Sequence, residues 1–241
     1  MSVAAFTVIA VAVFGAACMQ ASIGFGMGML AAPIVALIDP GLLPGTLIMS
    51  ATVVTALVLA RERGSVDLTG TGWALAGRVP GTVLGAMLLV VVPERGLALI
   101  LAGVVLGGVV FASFGWAPLP RRRNMAMAGA ASGLLGTATS IGGPPMALMM
   151  QHSTGTRLRS NMSAFFLVGS LLSLVVLTAT GSLHRNTAIA FLWLIPATVA
   201  GYAASRFVNR VMDAKRLRTT SIAVSSFGAL LLIGQQIVAL A

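Results

Sequence analysis

Acidic side chains are nearly absent. Asp39, Glu62, Asp67, Glu94 and Asp213 are the five carboxylates of a 241-residue chain, and all lie at the ends of apolar stretches. No carboxylate proton relay therefore runs through an apolar segment, and neither a second membrane aspartate nor an HExxH pair is present for aspartyl or metal-dependent hydrolysis. A single cysteine, Cys18, excludes an internal disulfide, and its apolar neighbours mark it as a packing residue. The two histidines, His152 and His184, sit at segment boundaries and read as solvated side chains. Aromatic residues make up only 6% of the chain, too few to stack a ring-bearing ligand. The methionines are scattered; Met146, Met149 and Met150 read as flexible packing rather than metal ligands. No metal and no cofactor is expected.

What the chain does have is apolar length. With 58% hydrophobic residues, 8% charged residues and a mean hydropathy of +1.01, it lacks the charged surface a water-soluble domain needs. Leu42 to Ala60, Leu97 to Trp116 and Thr219 to Ala241 approach or reach the roughly 20 residues that a helix needs to cross a bilayer. The period-2 alternation of a membrane barrel is missing, so the expected fold class is all-α and polytopic. A net charge of +10 would suit nucleic acid, but the basic residues fall in short groups between apolar segments without aromatic interleaving, and no nucleic-acid partner is expected. They read as topology signals. Residues 1–20 hold no Lys or Arg, so the first stretch lacks the positive leader of a signal peptide and is expected to stay in the mature protein.

Apolar segments fall at about 3–38, 42–60, 72–92, 96–116, 125–152, 162–181, 187–207 and 218–240, in two sets of four. Between the sets lie Pro118, Pro120 and Arg121-Arg122-Arg123, which end a helix and resist burial. The repeats are therefore placed at 1–118 and 119–241. They echo each other: Ser22-Ile23-Gly24 returns 118 positions later as Ser140-Ile141-Gly142, and Val79-Pro80-Gly81-Thr82 returns as Ile195-Pro196-Ala197-Thr198 at a slightly shorter spacing. Duplicated hydrophobic segments interrupted at corresponding positions are the mark of a secondary transporter, with its site where the broken helices meet.

Charge decides the expected topology. If all eight segments cross, fourteen Lys and Arg residues, with Arg78 left aside inside the third segment, divide six against eight between the two sides. If segments one and five are instead hairpins that leave on the side they entered, the same residues divide as two, Arg95 and Arg185, against twelve. Cytoplasmic loops carry the excess of basic residues, so the second arrangement is preferred. It gives three crossings per repeat, an inverted second half, broken re-entrant first segments and both termini outside. Phe6 to Gln20 and Met125 to Thr139, at about 22 Å each, are expected to be half-crossings.

A helix broken within a membrane leaves backbone N–H groups that lipid cannot satisfy, and an anion can. The second half-helices are expected to begin near Gly26 to Gly28 and Gly143 to Pro145, with Gln20, Ser22, Thr139 and Ser140 adding polar groups beside them. A leucine at Gly24 or Gly142 would then occupy the ligand's space. The structural alternative is that these glycines only let helices approach closely, as Gly28 to Ala32 would allow. Arg78, just before Pro80 in an apolar segment, is a functional candidate that could also snorkel to an interface. Arg157 and Arg159 could draw an oxyanion or simply anchor the cytoplasmic side.

The pattern Gly15, Gln20, Gly24-Phe25-Gly26, Gly28, Pro33, with its second copy Gly129, Ser132-Gly133, Gly136, Gly142-Gly143-Pro144-Pro145, resembles the paired signature of the TauE/SafE family of membrane transporters. The resemblance covers nearly the whole chain. It implies secondary transport of a small sulfur-containing anion, such as sulfite or sulfoacetate, across the cytoplasmic membrane. The substrate-binding set it implies is Gln20, Ser22, Gly24, Phe25, Gly26, Thr139, Ser140, Gly142, Gly143, Pro144, Arg159 and Asn161. Its partners would be that anion, protons, membrane lipid and a second copy of the chain. Gly24-Phe25-Gly26 departs from the glycine run of many relatives and narrows the pocket there. Two rivals remain: an anion channel lined by half-helix ends, and an intramembrane serine hydrolase using Ser132 and His184, whose expected glycine two places before the serine is Ala130.

Overall fold

A computed structural model describes residues 2–62, 66, 68–113, 119–150, 153 and 155–211. The expected segment 218–240, the C-terminus, Arg63, Asp67 and His152 lie outside the described residues. Among those described, the structure is entirely helical, with nine α-helices and one turn of 3₁₀ helix, Pro40–Leu42. The helices are α1 (Val3–Ile23), α2 (Met27–Ile38), α3 (Gly45–Arg61), α4 (Leu68–Val91), α5 (Glu94–Ser113), α6 (Arg122–Thr139), α7 (Gly143–Met149), α8 (Gly155–Ala179) and α9 (Arg185–Val211). By length and composition α1, α4, α8 and α9 can each cross a membrane.

Both glycine clusters do interrupt a helix. The first, α1, ends on Gly24, whose φ of 89° is left-handed and whose N–H caps the Gln20 carbonyl at 2.8 Å. Gly26, at φ 122°, adopts a conformation that only glycine enters readily, and α2 starts after it. In the second copy α6 ends on Ser140, which at φ 65° is the one non-glycine left-handed residue among those described; its N–H caps Gly136. Pro144 and Pro145 then suit the opening of α7, where missing N–H groups cost nothing. The helix ends at Gly24 and Ser140, and the helix starts after Gly26 and Gly142, are both 116 positions apart, which is also the spacing of Pro80 and Pro196 inside α4 and α9. The tripeptide echo at 118 differs from this cap spacing by two residues.

The first helices are also longer than expected. Nothing between the Ser2 cap and Ile23 breaks α1, so it runs for 21 residues, about 31 Å; α6 runs for 18, about 27 Å. The half-length pieces are α2 and α7 instead, at 12 and 7 residues.

Helix α1 packs on α9 and α6 on α4, so the two halves of the chain are held against each other. Helices α3 and α8 pack on each other, and each also touches the other's downstream neighbour. The α4–α6 contact is backbone to backbone: a Cβ at Gly77 or Gly81 would fall on the carbonyl of Ala126 or Ala130, and one at Gly129 on that of Ala74. Small residues one turn apart permit this approach where no hydrophobic effect drives helices together. On the matching interface Gly201 lies against the carbonyl of Phe14. The packing role weighed for the glycines is thus real, and falls mainly on glycines outside the two breaks.

Candidate functional site

The two breaks abut. A Cβ on Gly28, in the first turn of α2, would fall on the Ser140 carbonyl, and one on Gly143 would lie 3.0 Å from the Phe25 ring. Beside this contact is a cavity of about 40 Å³, bounded by Gln20, Gly26–Met29, Leu47, Ile48, Ala51, Arg78, Gly136, Ser140–Gly143, Phe166 and Ser170. That is a few times the ~10–15 Å³ that one water requires. Its polar groups are tied to the breaks that form it. Gln20 accepts the N–H of Met27 on Oε1 at 3.0 Å, so it caps α2 from within α1. The Ser140 hydroxyl donates to the Pro44 carbonyl at 3.0 Å. Ser170 accepts from Thr52 at 2.8 Å across the α3–α8 contact.

Arg78 supplies the charge. It is 3% exposed, and its Nη1 donates to the Ser132 hydroxyl at 3.2 Å, which itself donates to the Gly142 carbonyl at 2.6 Å. The guanidinium carbon lies 4.7 Å from the ring centre of Phe165 and 5.4 Å from that of Phe166. Room for it exists because residue 169 is glycine: a Cβ there would collide with the guanidinium. Its Nε is buried with no partner, and no ion pair reaches it among the described residues. A guanidinium keeps its charge at any physiological pH. Burying one without a carboxylate costs several kcal/mol, of which two desolvated cation–π contacts at about 2 kcal/mol each offset a part. A small anion in the cavity would complete the pair.

The structure brings some of the expected residues to this cavity and not others. Gln20, Gly26, Ser140, Gly142 and Gly143 line it. Ser22 does not; its hydroxyl bonds back to the Cys18 carbonyl. Thr139 bonds back to Leu135 and accepts the N–H of Ile141, shaping the second break. Gly24 faces Met162 and Arg159, where a Cβ would lie 2.7 Å from Met162, and a Cβ on Gly142 would meet the Ser132 carbonyl at 2.7 Å. Leucine at either position would collide with protein before it reached any ligand. Pro144 lines an apolar groove shared with α5, and Asn161 a separate, larger cavity. The Arg159 guanidinium is taken by Glu62, Nε to Oε1 at 2.7 Å, an ion pair joining the end of α3 to the start of α8.

The Ser132 hydroxyl donates to the Gly142 carbonyl and accepts from Arg78, and among the described residues no base stands ready to take its proton for serine hydrolysis. The family model of the sulfite exporter TauE/SafE matches residues 9–232. The chain belongs to the TauE/SafE family. Neither a curated protein nor a solved structure gave a match. Membership makes the chain a helical membrane protein of a transporter family, in agreement with the four membrane-length helices among the described residues. What sequence reasoning missed in this TauE/SafE protein is the cradle of Arg78. Ser132, Phe165 and Gly169 come from α6 and α8, and the only signal at hand was a small residue and two adjacent aromatics on an apolar helix.

Proposed function

We propose that the protein is a secondary active transporter carrying a small sulfur oxyanion, sulfite or a short sulfonate such as sulfoacetate, across the cytoplasmic membrane. The observation that carries this reading is Arg78: a buried guanidinium without a carboxylate, lining a small cavity where two broken helices meet. Gln20, Ser140 and the backbone at Gly26, Gly142 and Gly143 complete the site, while Ser22, Gly24, Phe25, Thr139 and Pro144 hold the breaks in shape. Asn161 and Arg159 act at the arginine-rich end. One fixed positive charge matches one monoanion, so a protonated sulfite would make the loaded site neutral and bring its own proton. Proton-motive force then drives transport without a carboxylate relay. A cavity of about 40 Å³ suits one compact ion better than a water-filled pore.

The repeats are read as inverted, with α1–α2 and α6–α7 as hairpins, both termini outside and a homodimer as the assembly. Support comes from the charge split and from the second hairpin, where Arg122 at its start and Met149 and Met150 at its end line one cavity. Cysteine labelling in intact cells checks the orientation, and because Cys18 is buried a single introduced cysteine reports alone. Residue 122 is expected to stay unlabelled by an impermeant reagent; labelling from outside overturns the topology.

A thermal-shift screen of the purified protein tests the ligand, across sulfite, thiosulfate, sulfoacetate, sulfate, phosphate and chloride. Sulfite or a sulfonate is expected to raise the melting temperature with a dependence on ln(1 + [L]/Kd). Stabilisation by a cation or an uncharged solute alone overturns the reading.

A further inference from the structure

A second cavity, of about 400 Å³, opens at the end of the bundle where α4, α6 and α8 begin and α7 ends. Its lining includes Thr71, Trp73, Arg122, Met149, Arg157 and Asn161, and no acidic side chain among the described residues. Arg122 lies over the Trp73 ring at 5.6 Å, and neither Arg122 nor Arg157 has an ion pair among the described residues. Thr71 is 3% exposed, and its hydroxyl has no hydrogen-bond partner among the described residues. Two guanidinium groups without a carboxylate and an unpaired hydroxyl lining one cavity are the arrangement that an oxyanion satisfies.

Helices α4, α6, α7 and α8 line both cavities. Thr71 precedes Arg78 by seven residues on α4, about 10 Å along the axis; Gly143 precedes Met149 by six on α7, about 9 Å. On α8, Asn161 precedes Phe166 by five residues, about 7 Å. Between the two levels lie Ala74, Met146 and Met162, all fully buried. Methionine is the apolar side chain that most easily changes rotamer, so this layer can part without breaking a hydrogen bond.

We propose that this cavity is a second, weaker binding site for a free small oxyanion, a vestibule from which ligand passes through the methionine layer to Arg78. The inference rests on the anion-transport reading for its purpose, but its binding step can be measured without transport.

Trp73 lines the cavity and is 43% exposed, so it can report occupancy. In a chain carrying Trp116→Phe and Trp193→Phe, sulfite and sulfate are titrated against Trp73 fluorescence in neutral detergent. A saturable change is expected that persists with Arg78→Gln. Arg122→Gln with Arg157→Gln should weaken its Kd at least ten-fold, and Arg157→Lys should retain most of it, because the site needs charge. Should Arg78→Gln not fold, the double variant in the chain with native Arg78 decides the same question. A purely linear response, a change untouched by the double variant, or a response to phosphatidylglycerol nanodiscs but not to sulfite each overturns the vestibule. Sulfite uptake into proteoliposomes is measured on the unmodified chain alongside. Saturable Trp73 binding without uptake of any sulfur oxyanion refutes the transport reading alone, and uptake with a silent Trp73 refutes the vestibule alone.

Discussion

Arg78→Gln is expected to lower kcat/KM for sulfite uptake by about 100-fold or more while leaving the protein folded. Glutamine keeps a donor for Ser132 and much of the length, so the helices around it need not move, but the positive charge facing the cavity is gone. Charge-assisted hydrogen bonds contribute about 1.5–3 kcal/mol each, and 2.7 kcal/mol corresponds to 100-fold. The free protein should be no less stable than before, and even slightly more so, because an unpaired buried charge has been removed. That combination separates a ligand-binding arginine from a structural one. Loss of a structural ion pair would lower the melting temperature together with activity, whereas here only sulfite-dependent stabilisation should vanish. Arg78→Lys should recover a minority of the activity, since a single ammonium cannot both reach Ser132 and lie against Phe165 and Phe166 as the branched guanidinium does. Uptake at the unmodified rate in the folded glutamine variant would remove Arg78 from the site.

The second large effect falls on stability. Gly81→Leu should prevent accumulation of folded protein, because its Cβ would lie on the Ala130 carbonyl, 2.9 Å from the Ala130 Cα. Overpacking of flexible side chains costs about 1–3 kcal/mol. Here the obstacle is backbone of a neighbouring helix, so the cost should lie at or above that range. Gly72, on the same helix, has nothing within 4 Å of the position its Cβ would take, and Gly72→Ala should be neutral or slightly stabilising. Fluorescence-detected size exclusion and thermal denaturation of the two variants compare them directly. Equal behaviour would mean that the close α4–α6 contact does not hold the two halves of the chain together. Gly24→Leu belongs with Gly81→Leu rather than with Arg78→Gln, since residue 24 is left-handed and faces Met162. Its loss of transport would therefore say nothing about a ligand.

Much of the architecture was legible because hydrocarbon imposes simple conditions. A span needs an unbroken apolar run and a glycine cluster interrupts one, so seven of the eight segments read from hydropathy correspond to described helices or helix pairs, with ends displaced by a few residues. The interruptions near Gly24 and Gly142 were visible for the same reason. The spacing of their caps was not. The tripeptide echo lies at 118, whereas the helix ends lie 116 apart, with glycine at one and serine at the other.

Composition and hydropathy alone identified a helical membrane protein with two glycine-broken apolar segments, because apolar length and period act locally along the chain. The tertiary structure decided which polar groups face a common space. Arg78 could equally have reached an interface; Gly169 leaves it room, Phe165 and Phe166 lie against it, and the Ser132 hydroxyl accepts its hydrogen bond. Arg159 looked the better anion partner, and Glu62, 97 residues away, holds it instead. Both outcomes depend on helices distant in sequence, and a side chain's partner in a low-dielectric interior is set by whichever group lies within hydrogen-bond reach once the helices have packed.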